Sequence, residues 1–240
     1  MFKSLFERKK TLSGSLVGFT DYHSHILPGV DDGVKTIDEA LAVLALYERA
    51  GISDVWLTPH VMEDVPNTVA GLKARFGELT EAYSGGVRLH LASENMLDSL
   101  FAERLDSGDL LPIELEWPYL LVETSFVNPP ARLYEMMEEI KSKGYYPMLA
   151  HPERYVYMER KDYRRLYQTG VVFQLNILSA SGHYGPDARR KAEWLMGNGM
   201  YRFAGTDLHR ERHFELIEKM RVGKDFAVMI EGQCHAGRDI

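Results

Sequence analysis

The chain has 240 residues, with 28 basic and 35 acidic side chains and a formal net charge of −7. That length suits one large domain with an ample core, and 45% apolar and 26% charged residues are ordinary globular values that exclude long disorder and fibrous classes. The acidic balance argues against binding a polyphosphate backbone, and a single cysteine, Cys234, excludes an internal disulfide framework or a cysteine-rich zinc site and fits a reducing cytosol.

The first 18 residues form an N-terminal extension in which Phe2, Leu5 and Phe6 sit among Lys3, Arg8, Lys9 and Lys10; residues 19–240 are expected to form one domain. Residues 1–10 lack the continuous apolar stretch of a secretion signal, and the longest clean apolar run, 41–47, is far too short for a bilayer, so a cytoplasmic location is expected. A strand is expected at 18–23, then a helix over 36–50 with Ile37, Leu41, Leu44 and Tyr47 on one stripe, Thr36 and Glu39 as a capping box, and Gly51 as its stop. A strand at 54–58 leads to a helix over 67–83, ending at Gly85-Gly86, and to a strand at 87–91. A strand at 119–122 precedes a helix over 129–143 that begins with prolines and ends at Gly144. Strands at 146–150, 171–175 and 201–204 alternate with helices over 161–168, 186–196 and 212–222.

Seven strands alternating with helices imply parallel βαβ units, in an open doubly wound sheet or a closed barrel. The residues at the strand ends favour the barrel. In chain order they are His23 and His25, His60, Glu94, Glu123, His151, Asn176, and finally Asp207 and His209. An open sheet concentrates its site at one switch point, whereas a barrel gathers every strand end around one mouth. Asp21, His23 and His25 are spaced i, i+2, i+4, which places all three on one face of an extended strand. Two pairs of the form H/D-x-H, together with His60, Glu94, Glu123 and His151 at the same pole, indicate a metal centre of mixed imidazole and carboxylate donors. Without thiolate, such donors suit Mn²⁺, Fe or Zn²⁺.

Five segments carry a resemblance: Asp21-Tyr-His23-Ser-His25 with Leu27-Pro-Gly-Val-Asp31-Asp32-Gly33, Thr58-Pro-His60, Ala150-His151-Pro-Glu-Arg154-Tyr155, and Gly205-Thr-Asp207-Leu-His209. They resemble the PHP (polymerase and histidinol phosphatase) superfamily, and within it the CpsB-like bacterial protein-tyrosine phosphatases of capsule and exopolysaccharide operons. The resemblance implies a distorted (β/α)7 TIM-like barrel with its site at the C-terminal ends of the strands. It also implies two or three ions, Mn²⁺ first. His23, His25, Glu94 and Asp207 would bind the first ion; Glu94, Glu123 and His151 the second; Asp32, His60 and His209 the third. The implied partner is a phosphotyrosine protein, a membrane-associated bacterial tyrosine autokinase.

Arg154 follows His151 by three residues, where a guanidinium can grip phosphate oxygens; Arg210 and Arg212 are further candidates after His209. Tyr155 is read as lining the pocket or packing, His90 as a core or barrel-wall residue, and His183, His213 and His235 as solvent-facing. Cys234 lacks the C-x5-R spacing of a thiol phosphatase, since Arg238 follows it by four residues, and no G-x-S-x-G elbow or Walker loop is present. The reading is a metal-dependent protein-tyrosine phosphatase. Another PHP phosphoesterase (histidinol-phosphate-type phosphatase or phosphodiesterase), a non-hydrolytic phosphotyrosine binder and an amidohydrolase are the alternatives.

Overall fold

Residues 119–122, Tyr-Leu-Leu-Val, are buried on both faces, and their alternation divides them between two cores. Tyr119 and Leu121 join Tyr22, Trp56, Met148, Ala150 and Phe203 in one cluster, whereas Leu120 and Val122 join Leu149, Phe173, Met137 and Leu166 in another. A parallel strand covered on both faces has this near-continuous apolar composition. The first cluster fills a barrel and the second lies between the strands and the outer helices.

The computed structural model describes residues 10–233. In chain order the elements are β1 (Lys10–Thr11), β2 (Thr20–Ser24), α1 (Ile37–Ala50), β3 (Asp54–Leu57), β4 (His60–Val61), α2 (Val69–Ala82), β5 (Arg88–Leu91), β6 (Glu94–Met96), α3 (Phe101–Ser107), β7 (Ile113–Glu114), β8 (Pro118–Glu123), α4 (Leu133–Ser142), β9 (Tyr146–Ala150), α5 (Arg160–Gln168), β10 (Val172–Asn176), α6 (Gly185–Gly197), β11 (Tyr201–Gly205), α7 (Glu211–Lys219), β12 (Arg221–Val222) and α8 (Lys224–Gln233).

The parallel strands follow chain order around the ring: β2 pairs β3, β3 pairs β5, β4 pairs β6, and β6, β8, β9, β10 and β11 pair in succession. The second and third ring positions are each split in two, β3/β4 at residues 58–59 and β5/β6 at residues 92–93. Pro59 has no N–H for the ladder, but its carbonyl still accepts from Glu94 N at 3.0 Å. At the last seam, β11 meets β2 through Asp207 N to His23 O at 2.7 Å and His25 N to Leu208 O at 2.9 Å. The ring is therefore a distorted seven-position α/β barrel whose ladder is interrupted, not one continuous sheet. Tyr119 and Phe203, from the non-neighbouring strands β8 and β11, have ring centroids 5.0 Å apart, a contact made inside the barrel.

All seven expected strands are present, with boundaries shifted by two residues or fewer. The differences lie at the short elements and helix ends. The helix expected over 129–143 starts at Leu133, after its prolines, and the one expected over 212–222 ends at Lys219 because residues 221–222 turn out to pair antiparallel with β1. Leu12 and Leu16 are fully buried in the same core as Phe214 and Ile217. Thr36 caps α1 by accepting from Glu39 N at 3.2 Å, but the Glu39 carboxylate takes Lys35 N at 2.9 Å instead of closing the box. Phe2, Leu5, Phe6, Cys234, His235 and Arg238 lie outside the described residues.

Candidate metal centre

The carboxyl ends of the strands bring all nine sequence-predicted ligands to one rim. His23 is the penultimate residue of β2 and His25 follows the strand; His60 opens β4 and Glu94 opens β6; Glu123 closes β8; His151, Asp207 and His209 follow β9 and β11. Four groups hold ligand atoms within 4.8 Å of one another: His23, His25 and Asp207; His23, Glu94 and His151; His60, Glu94 and Glu123; and His25, Asp32, His60 and His209. His23 Nε2 is 3.2 Å from Glu94 Oε2 and 3.5 Å from Asp207 Oδ1, and His25 Nε2 is 3.3 Å from the same Asp207 oxygen. His151 Nε2 is 3.1 Å from Glu94 Oε1, and Glu94 Oε2 also faces His60 Nδ1 at 3.1 Å, so this one carboxylate touches several of the groups. Asp32 Oδ1 lies 3.5 Å from His60 Nε2 and 3.4 Å from His209 Nε2 at the exposed edge.

Asp21 does not share their face. A register irregularity between Asp21 and Ser24 breaks the period of two, so Tyr22 enters the barrel and the Asp21 carboxylate turns elsewhere. It accepts from Tyr47 OH at 2.7 Å, Thr206 N at 2.8 Å and Thr206 Oγ1 at 2.7 Å, bracing the seam between β2 and β11. Two glycines allow the close approach the rim needs: a Cβ on Gly33 would collide with the His25 carbonyl, and one on Gly205 with the His23 side chain and backbone.

Several buried polar atoms in this cluster have no hydrogen-bond partner: His60 Nδ1, Glu94 Oε2, Glu123 Oε1 and His151 Nδ1. Orphaned buried groups are costly, about 1–3 kcal/mol each and more when charged. His60 Nδ1, Glu94 Oε2 and Glu123 Oε1 converge within 3.0–3.1 Å without hydrogen-bond geometry, which fits cation ligation. The backbone is also strained here. His151 at φ 33° and Asp207 at φ 51° are the non-glycine residues with positive φ among the described residues, and both are candidate ligands.

The surrounding shell fixes which imidazole nitrogen faces inward. His25 Nδ1 pairs with Asp31 Oδ2 at 2.8 Å, His23 Nδ1 with Gln174 Oε1 at 3.0 Å, and His209 Nδ1 with Asp207 O at 2.9 Å. Each bond leaves Nε2 for an ion. Asp31 also accepts from Gly33 N and His60 N, so it organises the turn that carries Asp32. Sequence reading assigned no role to Asp31 or Gln174; the signal available for Gln174 was one amide among the apolar residues of 171–175. Asp31→Asn is expected to weaken ion affinity by about 10- to 100-fold with the fold retained. A chelator-competition titration that returns wild-type affinity would remove Asp31 from this role.

Burial alone would push the imidazoles down, but the carboxylates facing them win. His23 is raised by Glu94 and Asp207, His25 is raised well above its usual value by Asp31, Asp207 and Glu94, and His60, opposed also by His25, rises to about 10 beside Glu94 and Glu123. In return, and against their own burial, Glu94 and Asp207 are held well below the carboxylate range, by His23 and His60 and by His23, His25 and His151 respectively.

Arg154 lies at the edge of the cluster, its Nη1 donating to Asp207 Oδ2 at 2.6 Å. Arg210 and Arg212 are exposed and are not brought into the cluster; with Lys35, Glu39 and His209 they line a flanking cleft of about 490 Å³. Tyr155 is fully buried, donates to Ala150 O at 3.0 Å, and is a packing residue. His90 bonds Asp54 at 2.9 Å and stacks on Trp56. His183 is exposed, whereas His213 is half-buried against His209.

Residues 19–221 match the family described as capsular polysaccharide synthesis, CpsB/CapC. The chain belongs to that family. A CapC protein of Staphylococcus aureus is 28% identical over 195 residues, covering 79% of this chain and 76% of the relative. The Bacillus subtilis tyrosine-protein phosphatase YwqE is 26% identical over 211 residues, covering 84% of this family member and 82% of its own length. In three dimensions the chain superposes, with a TM-score of 0.75 and 22% identity, on a crystal structure from work on YwqE of Bacillus subtilis and CpsB of Streptococcus pneumoniae, described there as metal-dependent tyrosine phosphatases; 92% of this chain and 94% of that one are covered. The interrupted seven-position barrel is thus the family fold. No helix among the described residues is long and apolar enough to cross a membrane.

Proposed function

We propose that this protein is a metal-dependent phosphomonoesterase that removes phosphate from phosphotyrosine on protein. Its substrate in this reading is a membrane-associated bacterial tyrosine autokinase controlling capsular or exopolysaccharide synthesis, met from the cytoplasm. The observation that carries the reading is the convergence of nine imidazole and carboxylate ligands on one rim with orphaned buried donor atoms among them. The relatives' activity supplies the substrate class.

Two or three ions, Mn²⁺ in this reading with Fe or Zn²⁺ compatible, would be held by His23, His25, Glu94 and Asp207, by Glu94, Glu123 and His151, and by Asp32, His60 and His209. When bound, such ions polarise phosphoryl oxygens and lower the pKa of water. The chain's own residues do the rest. Arg154 meets the equatorial oxygens, whereas Arg210 and Arg212 stand apart in the flanking cleft. Asp207 divides its carboxylate, Oδ1 toward the imidazoles and Oδ2 toward Arg154 and Asn176. Asp31 and Gln174 keep the ring nitrogens aimed. A tyrosine phenol with a pKa of about 10 departs readily, so no dedicated general acid is required.

The test is phosphate release from a phosphotyrosine peptide by purified protein, after chelation and after Mn²⁺ is restored. Loss with the chelator and recovery with metal is the expected result. Inactivity under every condition, with Zn²⁺ and Fe²⁺ also supplied, would overturn the reading.

A further inference from the structure

Arg154 closes the short helical turn Pro152–Arg154 that directly follows His151. Its backbone N–H donates to His151 O at 2.9 Å and its Nη1 to Asp207, while no hydrogen bond from its other guanidinium nitrogens is found among the described residues. What else holds the guanidinium is aromatic. Its carbon lies 4.4 Å from the centroid of Phe126 and 4.1 Å from that of Tyr184. Phe126 stands on the loop after β8 and is 38% exposed; Tyr184 immediately precedes α6. Asn176 Nδ2 donates both to Tyr184 OH at 3.2 Å and to Asp207 Oδ2 at 2.8 Å, tying ring, carboxylate and guanidinium into one unit.

A ring stacked on a guanidinium engages its face and leaves its in-plane donors free. Two such rings restrain the side chain without consuming the N–H groups that a phosphate would use. An arginine already restrained loses less conformational freedom when it grips an anion.

We propose that Phe126 and Tyr184 are positioning residues, an aromatic clamp that holds Arg154 at the rim and sets the affinity for a phosphate monoester. The clamp rests on the phosphatase reading above and adds two residues that act through Arg154.

The experiment measures binding of inorganic phosphate to the metal-loaded protein by calorimetry, alongside phosphotyrosine-peptide kinetics, with the metal content and melting temperature of every variant recorded. Phe126→Leu and Tyr184→Leu are each expected to weaken phosphate binding about tenfold and to raise KM more than they lower kcat. Tyr184→Phe, which restores the ring, retains the affinity that Tyr184→Leu loses. In an Arg154→Ala background the two leucine substitutions cause no further loss, because the rings act only through that side chain. Losses that persist undiminished in that background would overturn the clamp and assign the rings to the substrate itself. Wild-type affinity in both leucine variants would overturn it as well. Should Tyr184→Leu fail to fold, the exposed Phe126 carries the test. Phosphate binding that follows the clamp without any phosphotyrosine turnover would keep the clamp and remove the phosphatase reading.

Discussion

Asp207→Asn is expected to lower phosphotyrosine hydrolysis by about a thousandfold while the protein stays folded, on the several kcal/mol that metal-centred charge stabilisation supplies and about 1.4 kcal/mol per tenfold. Asp207 Oδ1 lies 3.3 Å from His25 Nε2 and 3.5 Å from His23 Nε2, while Oδ2 takes Arg154 at 2.6 Å and Asn176 at 2.8 Å. An amide has one acceptor oxygen and no charge, so either orientation loses an anionic ligand or the partner of Arg154. Asparagine is the appropriate replacement because Asp207 has φ 51°, a left-handed conformation that Asn tolerates and that would cost Ala about 1–2 kcal/mol. His151→Ala, which removes the imidazole facing Glu94 at 3.1 Å, should show a comparable loss of turnover at some added backbone strain. Turnover is measured at matched metal content, with circular dichroism to verify the fold. Near-wild-type rates in metal-loaded Asp207→Asn would remove this residue from the centre.

The ring of polar residues was legible because each apolar strand ends at a chemically distinct side chain. What spacing could not show was local backbone geometry. Every residue of β2 is buried, so its burial carries no alternation, and the irregularity that turns Asp21 toward Tyr47 leaves no mark on the sequence. Asp31 and Asp32 are chemically identical neighbours; only the turn sends Asp31 beneath His25 and leaves Asp32 with its side chain 72% exposed at the edge. β7 has two residues and α3 seven, too few for either period to register. Phe126 and Tyr184 approach Arg154 from loops after different strands, a contact set by barrel closure and not by sequence spacing.

Ion affinity should climb steeply with pH, about tenfold per pH unit for every proton displaced, hence about a hundredfold per unit if two imidazolium protons leave. The sign follows from the competing states. His23, His25 and His60 are all raised, His60 to about 10, so without ions protons compete for these rings, and a cation needs their lone pairs. Burial opposes that charge, but the facing carboxylates outweigh it, which makes the same carboxylates the reason both protons and metal are attracted. Glu94 and Asp207, held well below the carboxylate range, remain ionised between about pH 6 and 8 and contribute nothing to the slope. Protons are more abundant competitors at lower pH, so binding weakens; they are scarcer at higher pH, so binding strengthens until the raised imidazole values are passed. Competition against a chelator of known proton affinity at pH 6 and pH 8, together with calorimetry in buffers of different ionisation enthalpy, counts the protons released. An affinity that stays flat across that interval would mean the rings are already neutral without metal, and that Glu94 and Asp207 do not dominate the charge at the rim.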